Sequence, residues 1–542
     1  MTPYPKISIP SLIIFLLASL FCNAQKSNTF QQSFGGSAND FGCSTVLLPD
    51  KGYIIAGVTA SFGSGGYDIM LIRTDSVGKK IWSKTYGGSG DEGIPYYLWF
   101  ANVDIIMAPD SNVVICTNTK SYGAGGVDVY LFKVDLNGNL KWAKTYGGMG
   151  DDYGYSVIND PKGGFMISGE TFSYGAGSGD VLVIKTDTVG KIVWAKAYGS
   201  GGNEEAAWKV RASRDGNYFL CGYSHSISTA YDQMFMKIDA NGKLLFNKIY
   251  GTTSYDNATE ILDLPDSTIY LAGFTYNPFN GANTVAILSK FDKSGNLSWT
   301  YMYDKSRHTD FHAVLYDSVN KVFNCLLGES DIHRIGLIRT DLSGKFIFLK
   351  NYGPVSGSGA YTYGLGHDLL QLPSGGFALP YVTNDFGFGG WDYFFVKVDK
   401  NGTNSDSCNI TPVTLTPFDF TSYISNYTYT FTTTSISPSV GSGMNITSPN
   451  VKDTLVCSPF ITEFNWQAPC LGQATMFEDS SYSKPTSWKW NFGDGSSPST
   501  SQCPTHAYSK TGTYTVKLIS SNGSATDSIT KKDNDLSITH PA

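Results

Sequence analysis

Residues 41 to 88 read FGCSTVLLPDKGYIIAGVTASFGSGGYDIMLIRTDSVGKKIWSKTYGG. Their apolar positions form four short runs, near 44–48, 52–58, 68–74 and 80–86, each apolar throughout or alternating with polar residues. The turn-forming sequences PDKG, SFGSGG and DSVG lie between them. Short runs with a period of two, broken by glycines that can adopt positive φ, predict four β-strands joined by tight turns.

The same unit recurs along the chain. An aspartate opens a turn at Asp75, Asp135, Asp187, Asp239, Asp292, Asp341 and Asp399, at spacings of 49 to 60 residues. After the first six, an aromatic residue follows seven positions later: Trp82, Trp142, Trp194, Phe246, Trp299 and Phe348. Four strands repeated about every fifty residues is the period of one β-propeller blade. The seventh unit stops at VKVDKNGTNSDSC without a W-x-K-x-Y-G strand, whereas FQQSFGG at 30–36 stands ahead of the first unit. That segment is expected to be the missing outer strand, whose pairing with the last unit leaves no open edge in the ring. The expected fold is all-β, with residues 28–405 forming a seven-bladed propeller of four-stranded blades.

The consensus G-x-x-x-D-x-x-L-x-K-x-D-x-x-G-x-x-x-W-x-K-T-Y-G-G resembles the bacterial β-propeller repeat family of secreted, multidomain surface proteins. Its Asp, Gly and Trp shape turns and pack blades. Units five and six depart from it, with Val285 and Arg334 where the others carry Asp68, Asp128, Asp180, Asp232 and Asp392, so their hairpins need other anchors.

Residues 406–459 are rich in Thr, Ser, Pro and Asn, with pieces such as YTYTFTTTSI at 427–436, and read as a β-rich linker. In the stretch 460–532, Trp490 and Phe492 alternate with polar neighbours, Gly493-Asp494-Gly495 makes a tight turn, and TYTVKL has a period of two. The WNFGDG…PTHAYSKTGTYTVKL signature resembles the PKD (polycystic kidney disease) domain. The resemblance implies an immunoglobulin-like β-sandwich acting as a spacer or adhesive module, with 533–542 as a C-terminal tail.

Composition agrees with this picture: 59 glycines, 34 tyrosines and 32 phenylalanines stand against 16% charged residues. Lys6, the apolar run SLIIFLLASLF and the small residue Ala24 follow the order of a secretory signal peptide over 1–24. No later stretch approaches the ~20 apolar residues of a membrane helix. The mature chain is expected to be secreted or at the cell surface, monomeric and without membrane insertion. A net charge of -7, a pI of about 5.5 and no basic run argue against nucleic acid and anionic membrane as partners. Cys43, Cys116, Cys221 and Cys325 fall within strand-like runs as buried small hydrophobes. Cys408, Cys457, Cys470 and Cys503 cluster in loop-rich sequence, where an oxidising compartment would pair them, Cys408 with Cys457 being the preferred pair.

Candidate chemistry is sparse. The recurrent aspartates open DxxG turns, where a short acceptor caps backbone N–H groups. His308, Asp310 and His312 are the nearest approach to a metal cluster, but residues four apart on a strand lie ~13 Å apart, and a solvated inter-blade loop without metal is expected. No unrepeated acid–base pair, arginine cluster or Ser/His/Asp set stands out, so the chain reads as a binding or adhesion protein and not an enzyme. The competing reading is a propeller glycosidase, lyase or quinoprotein-like enzyme. A non-repeated polar cluster lining the mouth of the central channel would mark it. The loops after the outer strands carry Asp91, Glu92, Asp151 and Asp152, and loops on the same side carry Tyr122, Tyr174, Phe386 and Trp391. Carboxylates interleaved with aromatic rings suit an extracellular glycan or a surface protein, with no cofactor unless calcium bridges the contact. The alternative is that the acids cap turns and the aromatics pack between blades.

Overall fold

The computed structural model describes residues 29–523 apart from 94–101, 226–229, 278–282, 304–307, 330–333, 353–367, 385–386, 404–409 and short stretches within 414–484, together with 526–531 and 537–538. Seven antiparallel sheets follow one another among these residues. The first contains Asp40–Leu47, Tyr53–Thr59, Asp68–Thr74 and Lys80–Gly87 in that order, and the next five repeat the pattern. The innermost strands of the seven are Asp40–Leu47, Asp104–Met107, Asp152–Asn159, Glu205–Ala212, Asp256–Asp263, Thr309–Asp317 and Leu370–Gln371. Strands second and third in each sheet, such as YIIAGVT and DVLVIKT, are buried along all or nearly all of their length because neighbouring sheets cover both faces. Hence they read as continuous apolar runs. Packing joins each sheet to the next: Tyr86 of the first sheet lies in one cluster with Tyr130 and Phe132 of the second. The seventh packs back on the first, Phe30, Ala378 and Phe395 meeting Tyr53, Ile55 and Met70. No sheet closes on itself; this propeller-like arrangement closes through side chains between sheets.

FQQSFG is the fourth strand of the seventh sheet, with Phe30 opposite Lys397 and Phe34 opposite Tyr393. Each sheet also carries a fifth strand that the four-stranded repeat does not contain. All seven come from the stretch read as a linker. Ile410–Val413 pairs with the sixth sheet, Phe418–Asp419 with the fifth, Ser425–Tyr427 with the fourth and Thr432–Ile436 with the third. Ser439–Gly441, Asn445–Thr447 and Lys452–Cys457 then pair with the second, first and seventh. This belt runs round the outside in the reverse direction to the sheets and covers the outer edge of each, the last segment lying on Phe30–Gly35.

Two contacts explain the recurring Y-G. Six tyrosines of the outer strands, Tyr86, Tyr146, Tyr198, Tyr250, Tyr303 and Tyr352, donate their hydroxyls to the turn carbonyls of Gly138, Gly190, Gly242, Gly295, Gly344 and Gly402 in the following sheet, at 2.5–2.8 Å. At the seam between the seventh and first sheets Phe34 takes the tyrosine's place, and Lys397 Nζ donates to Ser76 O at 2.8 Å instead. The glycine after the tyrosine faces a buried aspartate. A Cβ on Gly87, Gly147, Gly199, Gly251 or Gly35 would fall 1.5–1.9 Å from a carboxylate oxygen of Asp68, Asp128, Asp180, Asp232 or Asp392. Where the sequence departs from this pattern, the anchor changes as expected: in the fifth unit Thr284 Oγ1 bonds to Asp310 Oδ1 at 2.5 Å and meets His308 Nδ1 at 2.6 Å.

The C-terminal unit packs Phe464, Phe477, Trp490, Phe492, Tyr508, Val516 and Leu518 into one core. Gly493 has φ +79° and sits against Thr515 O, so the tight turn after the Trp490 strand needs glycine. Cys43, Cys116, Cys221 and Cys325 are buried free thiols, and Cys503 is an exposed one. Cys408 lies outside the described residues.

Candidate functional site

Five of the innermost strands carry a β-bulge at the same height, between Gly42 and Ser44, Gly154 and Ser156, Ala207 and Lys209, Ala258 and Glu260, and Phe311 and Ala313. A bulge leaves one residue out of the ladder and re-aims its side chain. The bulged residues are Cys43, Tyr155, Trp208, Thr259 and His312. The last four line a small cavity of about 30 Å³ together with Asn102, Val103, Asp104 and Lys209, where the innermost strands of the second to sixth sheets converge. The repeat has no common residue type at this height.

Charged groups from opposite sides of the channel act on one another there. Arg211 Nε and Nη2 donate to Glu260 Oε1 and Oε2 at 2.9 and 2.5 Å, joining the fourth and fifth sheets. Burial opposes the guanidinium charge, but Glu260 outweighs it, with Asp104 and Asp368 adding to the effect, so Arg211 is held firmly protonated. Asp368 of the seventh sheet accepts from Ser44 Oγ of the first at 3.1 Å. Burial raises its pKa and the Asp104 charge adds to the rise, while Lys209 and Arg211 pull it down. Asp104 Oδ2 accepts the Val157 N–H at 2.9 Å, and Asn102 Nδ2 donates to Gly154 O at 2.7 Å. Lys209 and Asp104 are each 7% exposed and Glu260 1%. Desolvating these three ionisable side chains is costly, and an apolar plug would fill the axis at less expense to stability. The cluster offers an ammonium, carboxylates and an imidazole beside two aromatic faces. Such a set can orient hydroxyl groups and move protons.

The residues expected to form a recognition rim lie elsewhere, in clasps between the loops of adjacent sheets. Glu92 is fully buried and accepts from the Gly88 N–H at 3.0 Å and from Thr119 Oγ1 at 2.8 Å. Asp152, also fully buried, accepts from the Gly148 N–H and from Ser173 Oγ. Asp91 Oδ1 and Asp151 Oδ1 accept the backbone N–H groups of Tyr67 and Val127, and the hydroxyls of Tyr122 and Tyr174 donate to Gly87 O and Gly147 O. Trp391 donates its backbone N–H to Asn39 Oδ1, and Phe386 lies outside the described residues. His308, Asp310 and His312 were expected in a solvated loop. Instead they are buried, because Asp310 and His312 belong to the innermost strand of the sixth sheet. Among the described residues no group of three metal-ligating side chains is arranged to hold an ion.

The channel cluster escaped sequence reading because its members are about fifty residues apart and share no residue type. Superposing the repeats on the turn aspartates and asking which mid-strand column changes in every unit would have isolated Tyr155, Trp208, Thr259 and His312.

Residues 459–535 match the family model of the PKD domain. Comparison with the curated proteins yields no match. Among solved structures, the chain is similar to the polysaccharide lyase Uly1, with 10% identity and a TM-score of 0.42 over 68% of this chain and 90% of that one. It is also similar to the periplasmic gluconolactonase PpgL of Pseudomonas aeruginosa, with 11% identity and a TM-score of 0.37 over 72% and 99% of the two chains. A third is the endo-1,5-alpha-L-arabinanase of Thermotoga petrophila RKU-1, with 11% identity and a TM-score of 0.24 over 68% and 99%. The expectation that the chain is not an enzyme is corrected to this extent: the similar structures are a lyase, a lactonase and an arabinanase, not binding proteins. The sequence reading had found no unrepeated set of chemical groups, and the channel contains one.

Proposed function

We propose that the chain is an exported enzyme built on a seven-bladed propeller, acting on a carbohydrate at the channel mouth, with the PKD domain as a spacer. One observation carries it: among the described residues, the bulge height at which the repeat has no common residue type is also where charged groups of four sheets meet beside a cavity. In this reading Trp208 and Tyr155 stack on a sugar ring, and Asn102 and Lys209 orient its hydroxyls. Asp368, kept toward its protonated form by burial, gives a proton to the leaving glycosidic oxygen, while Asp104 takes a proton from the water whose oxygen bonds to the anomeric carbon as the glycosidic C–O bond breaks. The reaction class is hydrolysis of a glycosidic linkage. The test is a screen of polysaccharides and aryl glycosides with the full chain, followed by Asp368→Asn, Asp104→Asn and Lys209→Met. Turnover that falls at least a hundredfold in Asp368→Asn without loss of folding is expected. Turnover untouched by all three substitutions, or a substrate screen without turnover, overturns the assignment.

A further inference from the structure

The cavity has one aromatic wall that continues beyond it. From Tyr155 a row of rings runs through Trp208, Tyr223 and Tyr231 to Tyr255, with successive centroids 6.5, 6.0, 4.7 and 5.3 Å apart. The row crosses from the third sheet to the fifth and ends at Tyr255, which is 47% exposed, while the other four are half-buried. Two glutamates behind the row hold its hydroxyls. Tyr155 donates to Glu170 Oε2 at 2.9 Å, and Tyr223 and Tyr231 donate to Glu204 Oε1 and Oε2 at 2.8 and 3.2 Å. Glu170 is 3% exposed. Burial, and after it the Glu204 charge, pushes its pKa up to about 8. Tyr231 has an equivalent in Tyr67 of the first sheet and Glu204 in Asp91 and Asp151, whereas Tyr155, Trp208, Tyr223, Tyr255 and Glu170 have no identical counterpart in the other units.

We infer that this wall is a binding subsite for an extended, uncharged polysaccharide chain passing out of the channel, which makes the enzyme one that engages polymers rather than single sugars. The inference rests on the reading of the channel as a carbohydrate site. Three features of the wall specify the occupant. The first three pairs of rings meet edge to face, at 61, 83 and 73°, and the last is tilted at 43°, so apolar ring faces and edges alternate along the wall against successive sugar units. Each phenol that gives its proton to a glutamate turns its oxygen lone pairs outward as an acceptor for a sugar hydroxyl. The wall contains no lysine or arginine, so the carboxylates of a uronate polymer would find no cation to pair with along it. Continuity with the cavity through Tyr155 and Trp208 orients the chain from the channel outward.

The experiment is calorimetric titration of the full chain with neutral gluco-, xylo- and arabino-oligosaccharides of one to eight units, and with oligogalacturonides as the charged series. Affinity is expected to rise with length in at least one neutral series. Tyr255→Ala should weaken the long members roughly 3- to 10-fold and leave the monosaccharide unaffected. Tyr231→Phe, which keeps the ring and removes the hydroxyl, gives a second reading should Tyr255→Ala disturb the loop. No length dependence, equal losses for short and long ligands, tighter binding of oligogalacturonides, or no binding at all would each overturn the wall assignment. Failure of the channel assignment is separable: turnover that survives Asp368→Asn and Lys209→Met removes the catalytic centre from the channel, while length-dependent binding lost in Tyr255→Ala still stands.

Discussion

Gly147→Ala tests the reason for the recurring glycine. Gly147 does not occupy the left-handed region, so its backbone would accept alanine without strain. Space is the constraint. The new Cβ would stand 1.8 Å from Asp128 Oδ1 and 2.8 Å from both Asp128 Cγ and Asp152 Oδ2. The carboxylate has little freedom to retreat, since Oδ2 accepts the Ala124 N–H at 2.9 Å and lies against Gly123, whose φ is +122°. Forcing a methyl group into a filled site costs about 1–3 kcal/mol, and loosening the Asp128 turn bond adds about 0.5–1.5 kcal/mol. A loss of roughly 2–4 kcal/mol from the propeller transition is therefore expected. Asp128→Ala alone should lose about 1–3 kcal/mol through its unsatisfied turn N–H. With the carboxylate gone, however, the methyl group has room, and the double variant should be more stable than the sum of the singles by about 1–3 kcal/mol. Urea denaturation of the wild type, both singles and the double, followed by circular dichroism, closes the cycle. Additivity within about 0.5 kcal/mol, or a Gly147→Ala cost below that figure, would refute the steric account.

Two further outcomes follow from the same buried groups. Burial pushes Asp128 and Asp392 up to about 6, Glu205 and Asp256 to about 7 and Glu170 to about 8, all above their ordinary carboxylate values. The folded state then holds more protons than the unfolded state between about pH 4 and 8, so stability falls as pH rises through that window. The thermal midpoint of the propeller should be higher at pH 5 than at pH 8, and the opposite order would count against these assignments. Tyr146→Phe should cost about 1–3 kcal/mol in denaturant titration, because the buried Gly190 carbonyl loses its partner, and a neutral result would show that the junction bonds contribute little.

Turn aspartates and outer-strand aromatics were legible because each unit must solve the same packing problem with the same residues. The role of FQQSFGG was legible for a related reason: a strand pattern without its own unit has to pair elsewhere. The belt was not. Edge pairing uses backbone N–H and C=O groups, which every residue type has, so a Thr- and Ser-rich stretch such as Thr432–Ile436 shows no periodicity that distinguishes it from a linker. The acids of the loops misled for a different reason. Glu92 and Asp152 have the residue types of a binding rim, but both are fully buried as clasps between adjacent loops. At the channel, the bulges set the direction of Tyr155, Trp208, Thr259 and His312, and a bulge leaves no local mark in sequence.

The reversed course of the belt has a temporal consequence. The first strand made, Phe30–Gly35, pairs on one side with Asp392–Val398 and on the other with Lys452–Cys457. At a synthesis rate of roughly 5–20 residues per second, those partners emerge tens of seconds after it. Until then the opening strand has no place in any sheet, and every completed sheet has a bare outer edge. The belt reaches the sixth sheet first and the N-terminal strand last, so the edges are sealed from the newest sheet back to the oldest. Among the described residues, the last pairing the belt makes is therefore with the earliest strand.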